Sequence, residues 1–133
     1  MIVVDTNVIA YLLIDGDRTQ LAEQVRKSDS EWVAPILWRS EMRNLLMLYV
    51  RRGVTLFGDA KLIMTKAESQ LSGNEYDISS LGVIELAYKS GCTAYDCEFV
   101  AVAEQLGVNL VTSDKKILAA FSDIAVSMAD FVS

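Results

Sequence analysis

The chain opens MIVVDTNVIAYLL, in which Ile2, Val3 and Val4 run straight into Asp5 before the apolar pattern resumes beyond Asn7. Short β-rich runs recur as EWVA at 31–34 and NLVT at 109–112, each bounded by polar or turn residues as strands are. EYDI at 75–78 and IAVS at 124–127 are weaker versions of the same signal. Between them, helical spacing covers 18–28, 35–52, 56–72, 79–90, 95–106 and 114–121, and a first helix is expected from about Val8. Strands alternating with helices imply βαβ crossovers. The expectation is one α/β domain over residues 1–133, a three-layer α/β/α arrangement with a mainly parallel central sheet.

In such a sheet, ligands gather outside the carboxyl ends of the strands, so the residues standing there matter most. Asp5 ends the first strand. Asp114, in NLVTSDKKIL, follows the last good strand and opens a helix. Asp96, in CTAYDCEFVAVAEQLG, falls in the first turn of a helix with Thr93 as a possible cap. Each could be no more than an N-terminal helix residue, because Asp caps helices and complements their dipole. Glu41 is more telling. In APILWRSEMRNLLMLYVRR, read as one long helix with Pro35 in its first turn, Leu37, Trp38, Met42, Leu45, Leu46, Leu48 and Tyr49 share an apolar face. Glu41 lies inside that face, one turn from both Leu37 and Leu45. A lone carboxylate is costly to bury, so either an ion pair, for instance with Arg39 or Arg43, or a bound cation has to balance it.

Composition narrows the chemistry. The 133 residues contain no histidine, which excludes imidazole bases, Ser-His-Asp triads and His-ligated zinc. No GxxxxGK[ST] or GxGxxG loop is present to cradle a nucleotide. Cys92 and Cys97 form neither a disulfide framework nor a zinc pattern, and no segment has the apolar length of a membrane span. With no signal-peptide pattern at the N-terminus either, a cytoplasmic setting is expected. The net charge of −6 disfavours broad electrostatic binding of nucleic acid unless cations neutralise the site. Carboxylates without imidazole or thiolate form a hard-oxygen set suited to Mg²⁺ or Mn²⁺. Phosphodiester hydrolysis is the reaction such a site serves most naturally.

The order of these motifs sharpens the reading: Asp5-Thr6-Asn7 after an N-terminal strand, Glu41 in a central helix, Tyr95-Asp96 leading into FVAVAEQLG, and LVTSD ending in Asp114. Together they resemble the PIN-domain ribonucleases, in particular the VapC-type toxins of toxin–antitoxin modules, from residue 2 to about residue 131. The resemblance implies a metal-dependent endoribonuclease of PIN-like fold. It further implies that Asp5, Asp96 and Asp114 hold Mg²⁺ or Mn²⁺ and that Glu41 joins them or orients the attacking water. Asn7 would brace the first aspartate, with a hydroxyl from Thr112 or Ser113 beside the last. Cys97 stands where the family usually has a small residue. Glu98, about 200° around the helix from Asp96, is expected at the surface.

Arg39, Arg43, Lys115 and Lys116 flank the acids and are candidates for phosphate contact, or else belong to solvated helix faces. The surplus of apolar residues in MLYV and in VTLFGDAKLIMTKAESQLSG suggests a helical hairpin docking on a second copy, unless those residues only complete the core. The resemblance implies the same homodimer, an RNA substrate and a cognate antitoxin that blocks the acids. Two rival readings use the same residues: RNA processing without an antitoxin, and a Mg²⁺-binding receiver-like or scaffold module without nuclease activity. A receiver would want a second acid after Asp5, where Thr6 stands.

Overall fold

The computed structural model describes all 133 residues. Ile2–Val4 forms β1, followed by α1 (Thr6–Leu13), α2 (Thr19–Ser28), β2 (Trp32–Pro35), α3 (Trp38–Arg51) and α4 (Phe57–Gln70). Then come β3 (Glu75–Tyr76), α5 (Ser80–Ser90), α6 (Ala94–Leu106), β4 (Leu110–Val111), α7 (Lys115–Ala120), β5 (Ala125–Val126) and α8 (Met128–Val132). The strands make one sheet in the order β3-β2-β1-β4-β5, and every pairing is parallel.

β1 is central because it is apolar on both sides: every residue of β1 and β2 is buried, which requires cover on both faces of the sheet. Val3 sits opposite Val33 on one side and Leu110 on the other, and Val4 opposite Val111. α6 lies across β1, β2 and β4 with α5 packed on it, while α1 packs against α2, α3 and α4. Right-handed crossovers put these two groups on opposite faces, giving the expected three layers. Gly91 and Gly107 end α5 and α6 in the left-handed conformation that a residue without Cβ adopts at no steric cost.

Strand order reverses between β1 and β4, so the crevice at their carboxyl ends is the topological switch point. The helices that follow the strands, and α6, all begin along that edge.

Two elements depart from the sequence reading. Pro35 is the last residue of β2, aligned with Tyr76, and α3 starts three residues later at Trp38. Proline biases the residue before it toward extended backbone, which favours the strand ending there over a helix beginning. The five-residue α8, too short for periodicity to reveal, packs on α2 through the buried Met128.

Candidate active site

Asp5 continues the β1 ladder by one bond, its N–H donating to Val111 O at 3.2 Å, and then caps α1. Its Oδ1 accepts from Val8 N at 3.0 Å; its Oδ2 accepts from the Thr112 hydroxyl and from Ser113 N at 3.3 Å. Burial, with only 8% of the residue exposed, pushes the Asp5 carboxyl above the usual carboxylate range. Its three hydrogen bonds oppose that rise, and the neighbouring charge of Asp114 adds to it.

Asp114 caps α7, its Oδ1 accepting from Ile117 N at 3.0 Å. Its own N–H donates to Thr112 Oγ1 at 3.0 Å, so one buried hydroxyl joins both aspartates. Asp96 is held through its backbone, which donates to the α6 cap Thr93 at 3.0 Å; its carboxylate has no protein partner. Glu41 projects from the first turn of α3 and accepts at Oε1 from the Thr6 hydroxyl at 2.6 Å. Its half-buried carboxyl is pushed up by desolvation; the Thr6 bond opposes this, and Asp96, Asp5 and Glu98 add to it.

All four acids line one pocket of about 280 Å³, together with Thr6, Asn7, Asn44, Leu45, Leu48, Phe99 and Ile117. Four helix N-termini meet at this sheet edge, and their dipoles favour the negative charge gathered there. No cation lines the pocket and no ion pair of the protein includes any of the four acids. As they stand, no three acidic side chains are gathered tightly enough to hold a metal ion. The donor set still fits a hard divalent cation. Asp96 is free, and Glu41 Oε2 and Asp114 Oδ2 make no protein hydrogen bond.

The sequence-predicted supporting residues divide. Thr112 and the backbone of Ser113 brace Asp5, and the Ser113 hydroxyl lies 3.5 Å from the Tyr11 hydroxyl. Asn7 lines the pocket but makes no hydrogen bond to Asp5, a task taken by Thr112, Val8 and Ser113. Arg39 is committed elsewhere: Nε and Nη2 reach Glu75 at 2.5 and 2.8 Å, and Nη1 reaches Glu68. Trp38 Nε1 shares Glu75 at 2.8 Å, so this cluster ties the start of α3 to β3 and α4. Arg43, Lys115 and Lys116 are exposed, free of ion pairs and outside the pocket lining.

Glu98 is half-buried, with its carboxyl pushed up by burial and by Asp77, so it is not the freely exposed residue its helical offset suggested. The Cys97 thiol is buried and pushed up, 3.8 Å from Ser90 Oγ, which makes it a packing residue. Glu41 is not balanced by arginine. Thr6, unanticipated in this role, takes that place; the only hint was its position beside Asp5 at the start of a helix. Asn44 was also missed, although it stands three residues after Glu41 on the same helix face.

Residues 2–125 match the PIN domain family. The chain is 29% identical over 123 residues to Ribonuclease VapC3 of Pyrobaculum aerophilum, covering 90% of this chain and 94% of that one. The fold is shared with PAE2754 from Pyrobaculum aerophilum, with a TM-score of 0.78 and 23% identity over 98% of this chain and 92% of the other. It is also shared with FitAcB from Neisseria gonorrhoeae, with a TM-score of 0.69 and 19% identity over 96% of each chain. The chain thus belongs to the PIN-domain family.

Proposed function

We propose that this protein is a divalent-metal-dependent endoribonuclease, the toxin of a toxin–antitoxin pair, working on RNA in the cytoplasm as one unit over residues 1–133. The observation that carries this reading is the convergence of Asp5, Glu41, Asp96 and Asp114 on one cation-free pocket at the switch point of the sheet. PIN-family membership and the relative named as a ribonuclease support the same activity.

Asp5, Asp96 and Asp114, with Glu41, would hold Mg²⁺ or Mn²⁺, which when bound lowers the pKa of water and stabilises charge on a phosphoryl oxygen. The chain's own contribution is placement. Thr112 fixes Asp5 and the Asp114 backbone, and Thr6 holds Glu41 Oε1, leaving Oε2 without a protein hydrogen bond. In this reading Oε2 would orient a water and take its proton as the water oxygen bonds to phosphorus. The bond from phosphorus to the leaving ribose oxygen breaks, and that oxygen collects a proton from solvent. Arg43 and Lys115, exposed next to Asn44 and Asp114, would hold flanking phosphates.

The partners proposed are a cognate antitoxin that covers the acids and a second copy of this chain. The α3–α4 hairpin leaves Val54, Leu56, Phe57 and Leu62 more than half exposed, an apolar surface that either could use.

The test is cleavage of a total tRNA and ribosomal RNA pool by the antitoxin-free protein with Mg²⁺, with Mn²⁺ and with EDTA, beside Asp96→Asn. Cuts that require metal and vanish in Asp96→Asn are expected. Cuts that survive both EDTA and the substitution, or no cuts with either metal, would overturn the assignment.

A further inference from the structure

α3 carries two stripes. Trp38, Met42 and Leu46 are its buried stripe and meet the core. Glu41, Asn44, Leu45 and Leu48, spaced i, i+3, i+4 and i+7, form the adjacent stripe and line the acidic pocket. Leu48 is 38% exposed although it is large and apolar, and it does not pack on the core; Leu45 packs against the core edge and leaves its other side in the pocket. At about 1.5 Å per residue this wall runs about 10 Å along the helix from Glu41. The exposed Asn44 amide makes no hydrogen bond to the protein.

Resting on the ribonuclease reading, we propose that Asn44, Leu45 and Leu48 form a nucleobase subsite. It receives one unpaired base adjacent to the scissile phosphate and reads that base through the Asn44 amide. Three properties select this occupant. The wall is continuous with the acids, so whatever lies on it sits beside the group being cut. Leu45 and Leu48 give it an apolar stretch and no cation lines it, which suits the face of a base and not a phosphate. The amide offers one donor and one acceptor side by side, the pattern that pairs with a base edge. A base stacked and paired in a duplex presents neither its face nor its Watson–Crick edge, so the nucleotide must be splayed from a loop or single strand.

The test uses a random-sequence pool of short single-stranded RNAs, with cleavage positions read by end sequencing. The wild-type protein is expected to favour one base, or one pair of bases, beside the cut. Asn44→Ala should flatten that preference by roughly tenfold. Asn44→Asp, which can only accept, should move it toward bases that present an amino group, and Leu48→Ala should raise KM for every sequence. These readouts would not follow from a merely structural role for α3. An unbiased wild-type profile, or a bias that persists unchanged in both Asn44 variants, overturns the subsite while leaving the nuclease assignment intact. Should the wild type cut nothing, the nuclease reading fails on its own terms. The subsite is then read by sequencing the fraction of the pool retained by Asp96→Asn, and no enrichment that depends on Asn44 overturns it.

Discussion

The Thr112 hydroxyl donates to Asp5 Oδ2 across 107 residues of chain, and its own Oγ1 accepts from the backbone N–H of Asp114. One fully buried side chain at the end of β4 thereby sets the spacing of two acids carried by different strands. Thr112→Val keeps the β-branched shape and removes both bonds. It is expected to cost about 1–3 kcal/mol of stability, the penalty for stranding a buried acceptor. Cleavage should fall about 10–100-fold, as when a ligand loses its supporting partner. Thermal melting and single-turnover rates check the two parts, and unchanged activity would remove Thr112 from the site.

Thr6 does the same for Glu41, and here a conservative pair separates support from packing. Thr6→Ser keeps the hydroxyl and should retain most activity. Thr6→Val leaves Glu41 Oε1 without its donor, removing the bond that opposes the upward shift of that carboxyl. The acid limb of the pH–rate profile should move to higher pH, with kcat reduced about 10–100-fold and KM less affected. Equal rates for Thr6→Val and Thr6→Ser would show that the bond plays no part.

Asp5 and Glu41 both titrate at higher pH in the folded chain than in the unfolded one, chiefly because burial disfavours their charge. Between those two values the folded state binds more protons. This stabilising contribution is therefore complete below the ordinary carboxylate range, near pH 4, and is lost as pH rises through the raised native values. Metal-free protein should lose melting temperature from these groups as the pH climbs above the ordinary carboxylate range. Mn²⁺ should restore more at pH 7 than at pH 5, since protons and metal compete for the same oxygens. Melting curves at both pH values, with EDTA or Mn²⁺, check this; an Mn²⁺ effect that is the same at both would contradict it.

The arginines of α3 should behave oppositely. Arg39→Ala is expected to lower melting temperature without altering the salt dependence of RNA binding, because its guanidinium is occupied by Glu75 and Glu68. Arg43→Ala and Lys115→Ala should leave melting unchanged, weaken RNA binding and reduce the salt slope by roughly 0.7 each, as the loss of one phosphate contact does for a single strand. A salt slope that changes with Arg39 alone would reverse these roles.

Much of this protein was written locally. The β-branched run ending in Asp5, the Thr93 cap before Asp96 and the Asp114 that opens α7 are short-range patterns, and the structure keeps each within a residue or two of its expected place. The α/β alternation carried the parallel sheet, and with it the edge where the acids would stand. What the chain could not declare depended on partners distant in sequence. Whether Arg39 faced a phosphate or a carboxylate was decided by Glu75 on β3 and Glu68 on α4. Whether Glu41 met an arginine or a hydroxyl was decided by the packing of α1 against α3, which brings Thr6 to it across 35 residues. Pro35 pairs with Tyr76 of β3, a distant partner that adds to proline's local bias in keeping it in a strand. The residue types and their local periodicity determined the fold and the chemistry on offer. Tertiary packing alone decided which side chain answers which charge, since a carboxylate's partner is set by distance in space and not along the chain.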